Sequence, residues 1–144
     1  MKKYLIILLL PLLAFTISCE DDNDSSTSNP LVGVWEMTSV VITIQSNPIQ
    51  SVTYIANGST NDITLILGAD GTYSTTGQLN GSNNTFGGTW SSTGNKITIF
   101  ETSPETLTEI YDYTLSGNNL KMTITQPETA ETWAIVGEFN YTKS

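Results

Sequence analysis

Few side chains in this sequence could do covalent or acid–base chemistry. Its 144 residues contain no histidine, and the one cysteine is Cys19, near the N-terminus. Nucleophilic sites that pair serine or cysteine with histidine are therefore excluded, as are zinc sites built from histidine and cysteine. No glycine-rich phosphate loop carrying a lysine follows a strand-like run. What remains is carboxylates. Glu101, Glu105, Glu109 and Asp112 lie close together in sequence, and glycoside hydrolysis needs two carboxyl groups about 5–10 Å apart. Glu101 and Glu105, however, flank Pro104, where the chain turns, and charged side chains are rarely buried unless paired. A solvated rim is the expectation for them. Glu109 differs: it shares the alternation phase of Leu107 and Tyr111 and so points inward, as a polar anchor for a ligand or a partner for lysine. No catalytic residue, metal or cofactor is expected, and the chain reads as a non-enzyme.

A second set of residues could bind rather than react. Trp35, Tyr73, Trp90, Tyr111, Tyr113, Trp133, Phe139 and Tyr141 fall on strand-like runs. Two readings stand side by side. These rings fill the interior of a small sheet completely, or some of them line a cavity. Ligand pockets are mostly apolar with a few placed polar groups. On the cavity reading Tyr73, Trp90, Glu109, Tyr111, Tyr113, Trp133 and Phe139 are the lining, with the tyrosine hydroxyls and Glu109 as those polar groups.

The elements that must carry these residues are strands. Past residue 30 there is no long apolar stripe of 3.6-residue period, and Val, Ile, Thr, Tyr and Trp, which suit a pleated half-buried surface, are frequent. Residues 32–45 form a long first strand whose apolar phase changes. Trp35 and Met37 share one face, whereas Val40, Ile42 and Ile44 share the other, which requires a bulge or bend near Ser39. Strands follow at residues 50–56, at Ile63-Leu65-Leu67, and at residues 72–76 after the turn Asp70-Gly71. Residues 77–84, rich in Gly, Asn and Ser, read as a loop. Further strands run over residues 85–92, 96–100, 106–115 and 120–125, with the hairpin turn Ser116-Gly117-Asn118-Asn119. In the last strand Trp133, Ile135, Phe139 and Tyr141 share one face. About eight to nine strands joined by short turns form an antiparallel meander, and closing it removes both exposed edges. A barrel of this size encloses a volume that side chains fill or that one small ligand occupies.

The N-terminus reads differently. Lys2-Lys3 precede the apolar run 4–17, which is short of the about 20 residues a membrane span needs and suits the core of a signal peptide. The run ends in Thr16-Ile17-Ser18-Cys19. A small residue before a lone cysteine at this place resembles the bacterial lipoprotein signal. That resemblance implies cleavage after residue 18 and acylation of Cys19, anchoring the mature protein to a lipid bilayer. An ordinary secretory signal with an incidental cysteine is the plainer reading. Residues 19–30, with Glu20-Asp21-Asp22-Asn23-Asp24 and then a serine-rich stretch, cannot bury anything and read as a disordered tether. The acidic run resembles the signal that sends some Gram-negative lipoproteins to the outer face of the outer membrane, although composition alone allows a merely solvated linker. Without the leader, three lysines stand against 14 acidic residues, a net charge of −11. Such a surface repels nucleic acid and anionic membrane faces.

Three local patterns then bear on the domain at residues 31–144. They are Leu31-Val32-Gly33-Val34-Trp35 at its start, Asp70-Gly71-Thr72-Tyr73 after an apolar strand, and Gly88-Thr89-Trp90 followed by Lys96-Ile97-Thr98-Ile99 and the stretch 113–120. Together they resemble the lipocalin-like domains of bacterial lipoproteins, within the lipocalin and calycin group. The resemblance implies an up-and-down barrel, closed at one end by the tryptophan after Gly33, Trp35, with a basic side chain of the last strand lying over it. Here that side chain is Lys143. The expected function is a membrane-anchored cell-envelope protein, at the outer membrane, whose barrel binds a small apolar or amphipathic ligand. The alternative is a surface interaction module with a filled barrel that binds a protein or glycan.

Overall fold

The protein was analysed as a computed structural model that describes residues 28–46, 48–129 and 132–144. The expected leader and Cys19 lie outside these residues. Nine strands make up the described chain: β1 Gly33–Ile44, β2 Gln50–Ile55, β3 Asp62–Leu67, β4 Thr72–Leu79, β5 Ser82–Thr93, β6 Lys96–Ser103, β7 Leu107–Ser116, β8 Asn119–Gln126 and β9 Ile135–Lys143. From β3 to β9 each strand pairs antiparallel with the next, and β9 returns to pair with β1, which also pairs with β3. Eight strands thus close into a barrel. The ninth, β2, pairs only with the second half of β1 and extends it beyond the start of β3.

The phase change in β1 is resolved by one extra residue. Met37 pairs with Tyr141 and Ser39 with Asn140, so Thr38 is a bulge. Its hydroxyl donates to the Asn140 carbonyl at 3.0 Å. The bulge reverses the alternation, and Trp35, Met37 and Val40 are consequently all buried in one interior. Burying each of these side chains contributes on the order of 1.5–3 kcal/mol.

Residues 77–84 are not a loop. β4 continues to Leu79 and β5 begins at Ser82, joined by the two-residue turn Asn80-Gly81. Both turn residues have positive φ, 53° and 74°, the backbone of the hairpin turn that matches strand twist. The neighbouring loop is tied to this hairpin: the backbone NH of Asn80 donates to Asn61 Oδ1 at 2.8 Å and that of Gly81 to the Thr60 carbonyl at 2.9 Å. One rim of the barrel is therefore built by cross-linked turns.

The opposite end is closed. Trp35 is fully buried, and its indole NH donates to the Leu31 carbonyl at 2.8 Å. The Lys143 ammonium lies 5.1 Å from the Trp35 ring centroid and donates to the Pro30 carbonyl at 3.1 Å, a cation–π arrangement. Gly33, with φ of 147°, leaves the space for that lysine, because a Cβ there would stand 2.6 Å from Lys143 Cε. The residues expected to shut the barrel do meet at one end of it.

Candidate functional site

Between the closed end and the rim of turns lies a cavity of about 260 Å³. Its apolar walls include Ile63 and Leu65 from β3, Phe86 from β5, Ile99 from β6, Met122 from β8 and Phe139 from β9. Its mouth is framed by Leu79 and Asn84, at the tip of the β4–β5 hairpin, and by the half-exposed Leu107. A polar group is set into these walls: Tyr73 and Thr75 from β4, Glu101 from β6, Glu109 and Tyr111 from β7, and Tyr141 from β9.

The strand register explains how the polar group assembles. On β6 the alternation that buries Ile97 and Ile99 continues to Glu101, which is only 7% exposed. Across the ladder, Ile99 stands opposite Glu109 and Glu101 opposite Leu107, so the two carboxylates are diagonal neighbours on the inner face. On the other side, Gly88 of β5 stands between Tyr73 and Glu101. Without a side chain there, the Tyr73 hydroxyl reaches past β5 and donates to Glu101 Oε1 at 3.3 Å. The Tyr111 hydroxyl donates to Glu109 Oε2, and its ring meets Phe139 edge-on at 5.9 Å.

Glu101 is thus not part of a solvated rim. Two signals in the sequence could have placed it: its phase continues Ile97 and Ile99, and a glycine pair, Gly87-Gly88, opens space beside it. Desolvation, helped by the Glu109 charge, pushes its pKa above the usual carboxylate value, while the Tyr73 hydrogen bond opposes the shift. Burial likewise raises the pKa of Tyr73, Tyr111 and Tyr141, so all three remain neutral phenols.

Of the residues expected to line a cavity, Tyr73, Glu109, Tyr111 and Phe139 do so and three do not. Trp90 packs at the closed end, where its indole NH donates to the Gly68 carbonyl at 2.9 Å. Tyr113 also sits towards that end, its hydroxyl donating to the Gly94 carbonyl at 3.1 Å. Trp133 precedes β9 rather than belonging to it and is 51% exposed. The alternation that seemed to include it fails because the strand begins two residues later.

A family model described as a lipocalin-like domain matches residues 31–122. This chain belongs to the lipocalin-like domain family. Comparison with curated proteins and with solved structures gave no match. The matched stretch of the lipocalin-like domain runs from the plug at Leu31 into β8. It includes Trp35, both cavity carboxylates and the Asn80-Gly81 hairpin, whereas Lys143 and the whole closing strand β9 follow it.

Proposed function

We propose that this lipocalin-like protein is a cell-envelope lipoprotein, acylated at Cys19 and held at the outer membrane, whose barrel binds a small apolar or amphipathic molecule. The cavity carries this reading. It is mostly apolar and a few polar groups converge in it, which is the usual make-up of a small-molecule site. A barrel of eight strands is wide enough for one small ligand. The reading is non-catalytic, because the sequence offers no histidine and no cysteine within the domain to activate a nucleophile. The anchor rests on the residues 4–19 pattern alone, and two acyl chains suffice for stable attachment where one is marginal.

Native mass spectrometry of the chain against a panel of short apolar and amphipathic molecules tests the binding reading. One-to-one complexes that disappear when the cavity is filled by Met122→Trp are expected. A panel in which nothing binds, or in which binding is indifferent to that substitution, removes the reading. Metabolic labelling with a radioactive fatty acid tests the anchor: label is expected on the wild-type chain and absent from Cys19→Ala.

A specific observation also favours an interaction surface. β2 has one unpaired edge and exposes Val52 and Ile55, with exposed Ile49 just before it, which is a template for a further strand. This reading accompanies the ligand site rather than replacing it, since the barrel is not filled.

A further inference from the structure

The polar half of the cavity has a definite sign. Glu101 and Glu109 both face it, and no lysine balances them. The three lysines outside the leader are all engaged on the outside or at the closed end. Lys96 pairs with Asp112 at 2.8 Å, Lys121 pairs with Glu138 at 2.9 Å, and Lys143 covers Trp35. The chain has no arginine. Two carboxylates therefore share one small, largely apolar space with no protein cation among the described residues.

The hydroxyl inventory points the same way. Tyr73 and Tyr111 already spend their protons on Glu101 and Glu109. Each carboxylate keeps a second oxygen, Glu101 Oε2 and Glu109 Oε1, that receives no hydrogen bond from the described residues. Tyr141 is 6% exposed and lines the cavity, and its hydroxyl has no hydrogen-bond partner among the described residues. Besides the two unused carboxylate oxygens, the site thus presents the hydroxyls of Thr75 and Tyr141, each able to donate or to accept. An anionic head group would face two like charges and find only hydroxyl donors, on Thr75 and Tyr141. A cationic head that donates several hydrogen bonds meets both open carboxylate oxygens and can also donate to the hydroxyl oxygens.

We propose that the ligand is a small amphipathic cation, a primary amine whose ammonium sits between Glu101 and Glu109 and whose apolar part lies against Leu65, Phe86, Met122 and Phe139. This rests on the ligand-binding reading above and narrows it. The size of the space narrows it further. A volume of about 260 Å³ is below the roughly 300–1,000 Å³ of drug-sized sites, so a short chain fits and a long acyl chain does not. The raised pKa of Glu101 is what a carboxylate shows when it is buried beside another without a counter-charge. An ammonium supplies that counter-charge. Desolvating an ammonium is costly, and the two carboxylates and the tyrosine hydroxyl offset it only for a head group that reaches them all.

The experiment compares n-octylammonium, 1-octanol and octanoate by isothermal titration at neutral pH on the full chain, wild type and Glu101→Gln/Glu109→Gln. The expected result is n-octylammonium at least tenfold tighter than 1-octanol, with octanoate weaker than both. In the double variant n-octylammonium weakens at least tenfold and by more than 1-octanol does, and a cooperative circular-dichroism melt of the double variant shows that the barrel is intact. If octanoate equals or exceeds n-octylammonium, or if the double variant binds n-octylammonium unchanged, the cation assignment is overturned and the ligand-binding function survives. If none of the three binds, both fall.

Discussion

At the scale of single residues, the cavity is held against its own interest. Burial beside another carboxylate makes ionisation of Glu101 less favourable in the folded chain than in the unfolded one, so its charge weakens the fold at neutral pH. The direction of its pKa gives the sign of the pH effect. Its folded-state pKa is raised above the ordinary 4.5, so the folded chain holds the proton more tightly than the unfolded chain. The stabilisation this gives is complete below the unfolded pKa and is lost as pH rises through the folded one. Glu101→Gln, which keeps the Tyr73 hydrogen bond acceptor and carries no charge, is expected to raise the melting temperature at pH 7. That advantage shrinks to nothing on acidification well below the ordinary glutamate pKa, where Glu101 is protonated in the folded and the unfolded chain alike. Melting curves for the two chains across pH 3–8 check this. At the closed end the opposite holds, since Trp35 and Lys143 support each other. Lys143→Met, which keeps the aliphatic cover over the ring, should cost about 0.5–1 kcal/mol and Trp35→Ala about 3–5 kcal/mol, both measurable by urea denaturation.

At the scale of elements, two strands show how local backbone geometry sets the site. The Thr38 bulge puts both halves of β1 into one interior, and the phase change at Met37 and Val40 announced it in the sequence. Glycines at β5 do the corresponding work for the polar group. A Cβ on Gly88 would stand 2.0 Å from the Phe100 carbonyl oxygen, whereas one on Gly87 meets nothing closer than the Tyr73 carbonyl at 3.8 Å. Neighbouring glycines therefore differ sharply in what they tolerate. Gly88→Ala must push β5 from β6 and is expected to lose about 2–4 kcal/mol, together with the Tyr73–Glu101 hydrogen bond. Gly87→Ala should stay within about 1 kcal/mol of wild type. Chemical denaturation of the pair measures the contrast. The β4–β5 hairpin marks where the reading of elements fell short. Asn80-Gly81 is a strong turn signal, but Gly77, Gly81 and the polar residues around them dilute the alternation on both sides. What makes residues 77–84 strands is the pairing of Gln78 with Asp62 and Asn83, a tertiary fact that side-chain type does not carry. Trp133 failed for the converse reason. Its phase was right, but pairing with β8 starts only at Ile135.

At the scale of the whole molecule, closure is the property on which the site depends. The all-β class and the run of hairpins from β3 onward could be read from alternation and from turns, because each is a local or near-neighbour pattern, whereas the plug at Trp35 came from the family resemblance and the place of β2, beside β1 and outside the barrel, did not show in the sequence. Which inward residues meet around a cavity could not be read either, because Glu101, Tyr111 and Tyr141 come from three strands and their convergence depends on the stagger of the barrel. β9 supplies the last step of that geometry. It runs between β1 and β8, pairing Lys143 with Trp35 at one end and Ile135 with Ile44 and Gln126 at the other. Phe139 and Tyr141 of the cavity wall sit on it. A chain ending at Gln126 retains all of residues 31–122, the stretch that defines the family match, yet lacks this strand. It leaves β1 and β8 with unpaired edges and opens Met37, Leu120 and Met122 to water. With no disulfide available to hold the remainder, since the domain has no cysteine, such a chain should show no cooperative thermal transition by circular dichroism. It should also aggregate at concentrations where the full chain is soluble. A sharp transition close to that of the full chain would mean that the first eight strands form a stable core without closure. The cavity would then be an open groove lacking its Tyr141 wall.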